Sequence, residues 1–388
     1  MRLRFCAAVL LLYPLTCLGL LLGGWAMVIG PLSVFGGHLL MDNLRARDRT
    51  DYRGVAPGWG NLPLYLHVPW TVVTLGLLLW QAQPAQDLGG FGALLPGAFG
   101  HWVRDAHRDF DPLQQAACAY VAGLMLSANH IVGHEFVHRR SDPVAMATGI
   151  GLLAANGDAQ FSISHVYGHH MNVGTPNDPA TARRGESVYS FAVRSALGQY
   201  REAWRIEGQR LHRLGQPVLA WHNRLLRAVA LSVALLALAG GVAGIEGFAM
   251  LLGAMLTAKF LFEIVNYIQH YGLLREQGSR VEARHSWDSD HRWATRVFYG
   301  LARHAHHHAR PLLPYWQLTP AKPGVDSPQM RYGYIGAMLL ACVPPLWQRH
   351  TRPLLAQWDE HLATEGERRL AALADAQHVS TTSTGAIP

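Results

Sequence analysis

The sequence LQQAACAYVAGLMLSANHIVGHEFVHRR, residues 113–140, joins a long apolar run directly to a cluster of histidines. Residues 113–133 are long enough to cross the ~30 Å hydrocarbon core of a membrane as a helix. His134 and His138 follow at a spacing of four residues, which places both imidazoles on one side of a continuing helix. This stretch therefore predicts a membrane-spanning helix that ends in a pair of candidate metal ligands.

The composition also indicates a membrane protein. Of the 388 residues, 50% are hydrophobic and only 15% are charged, and the charged residues cluster between long apolar runs. A soluble surface would need charges spread evenly, so we predict an all-α, polytopic membrane protein with six transmembrane helices. The first two spans and the last two are expected to form helical hairpins, because very few residues join them. The predicted spans cover residues 5–22, 24–41, 62–81, 113–133, 227–245 and 247–267.

The arginines predict how these spans are oriented. Cationic residues concentrate in cytoplasmic loops, and here they precede the first span and follow the second and fourth. With six crossings, residues 134–226 and 268–388 then lie on the cytoplasmic side of the inner membrane. All histidine clusters are therefore expected at one face of the bilayer. The arginines concerned are Arg2, Arg4, Arg45, Arg47, Arg49, Arg53, Arg139 and Arg140.

The domain organisation is predicted to be simple. Residues 1–373 are expected to form a single membrane-embedded domain, and the Ser/Thr-rich stretch 374–388 a disordered tail. Residues 334–347 are apolar but short and interrupted by prolines, which favours an interfacial segment. The net charge of +7 fits arginines near anionic lipid or a docking surface for an acidic protein, and no nucleic-acid-binding motif is present.

Two further histidine clusters and one isolated histidine complete a candidate metal centre. The clusters are SHVYGHH at 164–170 and RHAHHHA at 303–309, and the isolated residue lies in NYIQHYGLLR at the end of the last span. Imidazole is the commonest metal-binding side chain, and this many histidines favour a site for more than one ion. If 303–309 is helical, His306 points away from the other histidines. The predicted ligands are His134, His138, His165, His169, His170, His270, His304, His307 and His308.

Nearby carboxylates are candidates for orienting these imidazoles through the free ring N–H. They are Glu135 in the first cluster, Asp290 in HSWDSDH, and Glu263 on the helical face that leads to the last span's histidine. For Glu263 an alternative stays open, in which it pairs with Lys259 and so satisfies two charges inside a span. His130 is expected to be a buried, hydrogen-bonded histidine, and no ligand role is assigned to His285 or His291.

Two other functional classes fit parts of the pattern. HEFVH has the spacing of zinc proteases, but it abuts a membrane span and the chain has more clustered histidines than a catalytic zinc needs. A metal transporter would place ionisable ligands midway through its spans, whereas these histidines gather at one face. The four cysteines form no CxxC pair, so any electrons for the reaction must come from another polypeptide.

The ordered set HEFVHRR, SHVYGHH, NYIQHYGLLR and LARHAHHHA resembles the integral-membrane non-haem di-iron hydroxylases, specifically the alkane monooxygenase and xylene methyl-monooxygenase family of the fatty-acid-desaturase-like superfamily. The block VGTPNDPATARRGESVYSF at 173–191 extends the resemblance. It implies a cytoplasmic site for two iron ions held by the nine histidines, and O₂-dependent hydroxylation of the terminal methyl group of an apolar hydrocarbon. It also implies an external rubredoxin or ferredoxin with its reductase. A fatty-acyl desaturase or hydroxylase of the same superfamily stays open.

Three positions depart from the alkane-hydroxylase pattern. Ser164 and Gln269 stand where glutamates are usual, and His306 stands where an aspartate is usual. None removes a predicted ligand, but together they change the charge near the metals. HVYGHH and HAHHHA are closer to the xylene branch, so both an alkane and an alkyl-aromatic substrate such as xylene stay open.

Overall fold

The computed structural model describes residues 5–6, 8–43, 47–84, 86–108, 111–322 and 326–384. Among these residues the regular structure is helical, apart from two isolated β-bridges. In chain order the longer helices are α1 (Tyr13–Leu22), α2 (Gly24–Asp42), α3 (Pro57–Gln81), α4 (Gly97–Arg108), α5 (Pro112–Val137), α6 (Pro143–Ala155), α7 (161–172), α8 (Val188–Arg213), α9 (Arg224–His270), α10 (Arg292–Val297), α11 (His304–Ala309), α12 (Tyr334–Ala341), α13 (Pro344–His361) and α14 (Glu365–Thr384). Three arginines used above for orientation, Arg2, Arg4 and Arg45, lie outside the described residues.

The chain divides into two compact units. The sequence predicted one domain, and the division is not visible in it because the units alternate along the chain. We call them the membrane unit, residues 1–40, 54–162 and 216–262, and the histidine unit, residues 41–53, 163–215 and 263–388.

Helices α2, α3, α5 and α9 are each long and apolar enough to cross a membrane, which makes this a multi-pass membrane protein. Helix α9 has 47 residues and would be about 70 Å long if straight, more than twice the hydrocarbon thickness. It is broken at Ala243 and Gly244, where the backbone leaves helical geometry. A Cβ on Gly247 would lie 2.7 Å from the Ala239 carbonyl oxygen, although these residues would be about 12 Å apart along a straight helix. The chain therefore folds back here, which confirms the predicted second hairpin.

The first predicted hairpin is confirmed in the same way. Gly23 has a positive φ of 68° between α1 and α2. Beyond this turn the two helices touch, since a Cβ on Gly19 would lie 2.7 Å from the Ala26 carbonyl oxygen and one on Gly30 would lie 2.7 Å from Thr16 Cγ2. Small residues permit this close approach of two helix backbones.

The membrane unit contains a buried ion pair, between Lys259 and Asp158, that the sequence analysis did not identify. Lys259 Nζ lies 2.9 Å from the carboxylate of Asp158, and His130 Nε2 lies 3.1 Å from it. Burial alone would raise the pKa of Asp158, but the Lys259 ammonium and the His130 imidazole lower it to about 2. His130 also accepts a hydrogen bond from Asn156 Nδ2 (2.8 Å), which confirms its predicted buried, hydrogen-bonded role.

The histidine unit differs from prediction near its C-terminus. Helix α14 continues to Thr384, through residues predicted to be disordered from 374 onward. Its first turn is anchored by Glu367, which accepts hydrogen bonds from the backbone of Thr364 and contacts His285 Nε2 at 2.8 Å. Once a helix is started, each further residue adds a hydrogen bond, and the sequence LAALADA at 370–376 has high helix propensity.

Candidate metal centre

Four of the predicted ligands meet in the histidine unit, and we call them the His169 cluster. They come from α7, from the end of α9 and from α11, and all four are buried. His304 Nε2 lies 3.0 Å from His270 Nε2 and 3.1 Å from His308 Nε2. The ligand atoms of all four lie within 4.8 Å of one another; the members are His169, His270, His304 and His308.

A single ordinary hydrogen bond cannot account for both distances. A neutral imidazole nitrogen either carries a proton or offers a lone pair, so His304 Nε2 cannot satisfy one neighbour as donor and the other as acceptor. Two adjacent ligands of an octahedral ion, each at about 2.1 Å from it, are about 3.0 Å apart. The three nitrogens therefore have the spacing of ligands around one cation.

A second group, the His170 cluster, lies beside the first. His170 Nε2 is 3.0 Å from His165 Nε2 and 3.2 Å from His307 Nε2, so it also faces two imidazole nitrogens at once. The rings of His170 and His308 stack with their centroids 4.5 Å apart, which joins the two clusters. The histidine unit thus offers two adjacent cation sites with all-nitrogen ligands.

A π-helical turn in α7 places its histidines in different clusters. This turn covers His165–His169, with hydrogen bonds from i to i+5. His165 and His170 therefore lie side by side, whereas in a regular α-helix they would point about 140° apart. His165 and His169 are four positions apart, yet the structure places them in different clusters. Such turns occur frequently at functional sites.

In α11, by contrast, the helical periodicity predicts the arrangement correctly. His304 and His308, four positions apart, share the His169 cluster, and His307 joins the His170 cluster. His306 points elsewhere, as predicted, and its Nδ1 accepts a hydrogen bond from the backbone N–H of Thr319 (3.0 Å).

The two remaining predicted ligands belong to the membrane unit. His134 lies in the last turn of α5, and His138 is the residue that caps this helix. Both side chains are buried, and their ring centroids are 4.9 Å apart. The structure thus presents them as a pair, as their spacing predicted.

A carboxylate that the sequence analysis did not single out holds one of the ligands. Asp178 Oδ2 lies 2.8 Å from His169 Nδ1 and accepts a hydrogen bond from the Thr181 hydroxyl (2.6 Å). With its Nδ1–H bonded to a carboxylate, His169 presents the lone pair of Nε2 to the cluster. Asp178 lies in the NDPATARRGE stretch, which had been used only for the family resemblance.

The carboxylates that were predicted to orient imidazoles have other recorded partners. Glu135 pairs with Arg139 at 2.8 Å, and Asp290 pairs with Arg47 at 2.6 Å. Glu263 accepts a hydrogen bond from Gln199 Nε2 (2.8 Å), while Lys259 pairs with Asp158 as described above. A role of Glu135, Glu263 and Asp290 beside the metals stays a prediction.

Glu202 is a second carboxylate that the sequence analysis missed. It extends from α8 over Gly168 in the π-helical turn, where a Cβ would lie 2.3 Å from its carboxyl carbon. Burial, and then the charge of Asp178, raise the pKa of Glu202 to about 7. No sequence signal could have found it, because the contact depends on how α8 packs against α7.

Two of the three unusual positions have a clear structural role. Gln269 Nε2 donates to the Tyr334 hydroxyl (2.8 Å), which donates to the Leu301 carbonyl (3.1 Å). A glutamate at this position would have no N–H to donate to that phenol. His306 is hydrogen-bonded to Thr319 as given above, and Ser164 is buried immediately before the π-helical turn.

Comparison with known proteins gives consistent results. Residues 111–337 match the family model described as fatty acid desaturase. Alkane 1-monooxygenase 1 of Pseudomonas aeruginosa is 36% identical over 334 residues, which cover 84% of this chain and 81% of that protein. The xylene/toluene monooxygenase hydroxylase component XylM of Pseudomonas putida is 29% identical over 365 residues, 92% of this chain and 90% of that protein. An alkane 1-monooxygenase of Pseudomonas putida is 37% identical over 243 residues, 61% of this chain and 58% of that protein.

Proposed function

Because the chain belongs to the fatty acid desaturase family and is an oxidoreductase similar to alkane 1-monooxygenases, we propose that it hydroxylates the terminal methyl group of an apolar hydrocarbon. The reaction inserts one oxygen atom of O₂ into a C–H bond and releases the other as water. It therefore consumes a pair of electrons and a pair of protons with each O₂. A separate rubredoxin- or ferredoxin-type protein would supply the electrons.

The paired histidine clusters are the observation that carries this proposal. The His169 cluster would hold one iron ion. The His170 cluster would hold the other, and His134 and His138 would add ligands to it, as the family resemblance implies. Bound iron would supply the redox chemistry that activates O₂, which redox-inert zinc cannot supply. The closely spaced imidazole nitrogens fit such ions.

The protein's own groups would orient the ligands and keep water away. Asp178 accepts the Nδ1–H of His169, so that the Nε2 lone pair stays directed at the cluster. His270, His304 and His308 are each at most 4% exposed, which limits the access of water to the reactive centre. The apolar substrate would partition into the bilayer before it reaches the site.

We propose six membrane crossings, with the metal centre at the cytoplasmic face of the inner membrane. The halves of α9 on either side of Gly244 would cross separately, because α9 as a whole is too long for one crossing. The apolar helix Val9–Leu22 would be the first crossing, followed by α2, α3 and α5. The arginine distribution supports this orientation.

Conversion of a substrate panel under ¹⁸O₂ tests the proposal. Cells that produce the protein with a rubredoxin and its reductase would receive medium-chain alkanes, toluene and xylenes, and the products would be analysed by mass spectrometry. A labelled primary alcohol from one class supports the proposal and identifies the substrate. His308→Ala should abolish product, whereas His212→Ala, an exposed histidine on α8, should not.

A desaturase would give a different outcome, namely an unsaturated product that carries no label. That result, or an alcohol without ¹⁸O, would contradict the monooxygenase assignment.

A further inference from the structure

We propose that helix α8 lies against one leaflet of the membrane, where lipid acyl chains cover an exposed apolar stripe along the helix. In the topology proposed above this is the cytoplasmic leaflet. The inference concerns a helix of the histidine unit and does not depend on the reaction that the protein catalyses.

The apolar stripe consists of large side chains on one side of α8. They follow one another at spacings of three or four residues, which confines them to about 80° of the helix surface. Each of them is between 37% and 63% exposed. Contiguous exposed apolar patches mark contact sites for other proteins or for membranes. The members of the stripe are Tyr189, Val193, Leu197, Tyr200 and Trp204.

The stripe faces outward from the histidine unit. Phe191, Ser195 and Gln199 lie on the opposite side of α8 and are at most 3% exposed. This opposite side packs against the rest of the unit, since Gln199 Nε2 donates to Glu263 at 2.8 Å. Packing within the histidine unit therefore leaves the stripe free to contact something else.

The apolar surface continues onto the segment that joins α12 to α13. The Tyr189 hydroxyl donates to the Cys342 carbonyl oxygen at 2.7 Å, which fixes the start of α8 beside this segment. Three more apolar side chains there are 43–50% exposed, namely Leu339, Val343 and Leu346. All three lie within residues 334–347, which the sequence favours as an interfacial segment. Two segments distant in sequence thus form one exposed apolar surface.

The charge beside the stripe fits an anionic lipid surface. Arg201 and Arg205 follow Leu197 by four and eight positions, so they lie about 40° and 80° further round the helix, along one edge of the stripe. Arg201 is exposed, and the Arg205 side chain is 59% exposed. The acidic residues of α8, Glu202 and Glu207, are buried. An apolar face with arginines along its edge is typical of helices that lie in the interface of an anionic membrane.

The aromatic content and the chain connectivity favour lipid as the occupant. Three of the five stripe members are tyrosine or tryptophan, which concentrate where the apolar core of a bilayer meets the headgroups. Residues 214–223 join the end of α8 at Arg213 to the start of α9 at Arg224, and α9 is apolar enough to cross a membrane. Leu219 and Trp221 in this connection are 80% and 79% exposed. Such a connection spans at most about 35 Å, so α8 cannot lie far from the bilayer.

Spin labels on α8 test this placement in the full-length protein, reconstituted into nanodiscs of phosphatidylethanolamine and phosphatidylglycerol. Single labels are attached at Val193→Cys and Leu197→Cys. The matched control is Gln209→Cys, at an exposed position of the same helix about 120° round from Leu197. Cys342, which is partly exposed, is replaced by alanine in every variant.

We expect the ratio of collisions with O₂ to collisions with a water-soluble nickel chelate to be severalfold higher at 193 and 197 than at 209. The reason is that apolar O₂ concentrates among acyl chains, whereas the chelate stays in water. Adding Arg201→Glu/Arg205→Glu should lower the ratio at 193 in these nanodiscs but not in nanodiscs of neutral phosphatidylcholine.

Equal ratios at the three positions would overturn the proposal, because the stripe would then face water. Low accessibility to both reagents at 193 and 197 would also overturn it, and dipolar broadening between labels on different chains would then identify a second copy as the occupant. An equal effect of the arginine substitutions in both kinds of nanodisc would contradict the part assigned to anionic lipid.

Discussion

The contact between Asp178 and His169 predicts a specific loss of iron affinity. In Asp178→Asn, the amide oxygen can still accept from the backbone N–H of Ala180, now 3.0 Å away, but the NH₂ group then faces His169 Nδ1. The imidazole must become an acceptor at Nδ1, which moves its proton to Nε2 and blocks the metal-binding lone pair. If the amide turns round instead, the Ala180 N–H loses its acceptor, at a cost of about 1–3 kcal/mol.

Loss of such an orienting carboxylate weakens metal binding by about 10–100-fold, equivalent to roughly 1.4–2.7 kcal/mol. Competition with a ferrous chelator, on protein purified in detergent, measures this affinity directly. Asp105→Asn makes the same chemical change at an exposed surface pair and should bind iron like the unmodified protein. If Asp178→Asn also binds iron with unchanged affinity, the orienting role of this carboxylate is refuted.

Three further substitutions probe other contacts. Gly168→Ala should displace the Glu202 carboxyl, lower the stability of the fold by about 1–3 kcal/mol and reduce the iron content. Adding Glu202→Ala should restore both the stability and the iron content. Strictly additive effects of the two substitutions in thermal melts and iron assays would contradict this. Lys259→Met leaves the buried Asp158 carboxylate without its ammonium partner and should destabilise the protein by about 3–5 kcal/mol. The double variant Lys259→Met/Asp158→Asn should regain most of this stability. Equal stability of the single variant and the unmodified protein in denaturant would argue against the ion pair. Burial alone would raise the pKa of Glu367, but hydrogen bonds from His285, the Thr364 backbone and Arg284 lower it from 4.5 to about 2. The resulting contribution to stability, up to about 3 kcal/mol, is present above pH 4.5 and lost as the pH falls toward 2. Glu367→Gln should flatten this part of the stability profile, and an unaltered profile would count against it.

Features that depend on local periodicity and turn chemistry could be predicted from the sequence. The second hairpin was expected near Gly244, and the chain does reverse there, because glycine accommodates a positive φ between two apolar helices. Likewise, His306 was expected to point away from His304 and His308, since an α-helical period excludes it from their face.

Features that depend on packing between distant segments could not be predicted. The division of His165 and His169 between clusters follows from a π-helical turn, which no spacing rule for α-helices anticipates. Asp178 and Glu202 reach the centre through a loop and through α8, so only the folded chain shows which carboxylates lie there. Asp290 was a candidate because it lies beside histidines in HSWDSDH, and its pairing with Arg47 is visible only in the folded chain.

The most direct test of the two adjacent histidine clusters is the iron content of the purified protein, measured together with its Mössbauer spectrum. We expect two iron ions per chain in nitrogen-rich sites that interact magnetically, and loss of this signal in both His308→Ala and His170→Ala. A single iron per chain, or zinc at full occupancy in protein that is active, would contradict the paired-cluster arrangement on which the proposed chemistry depends.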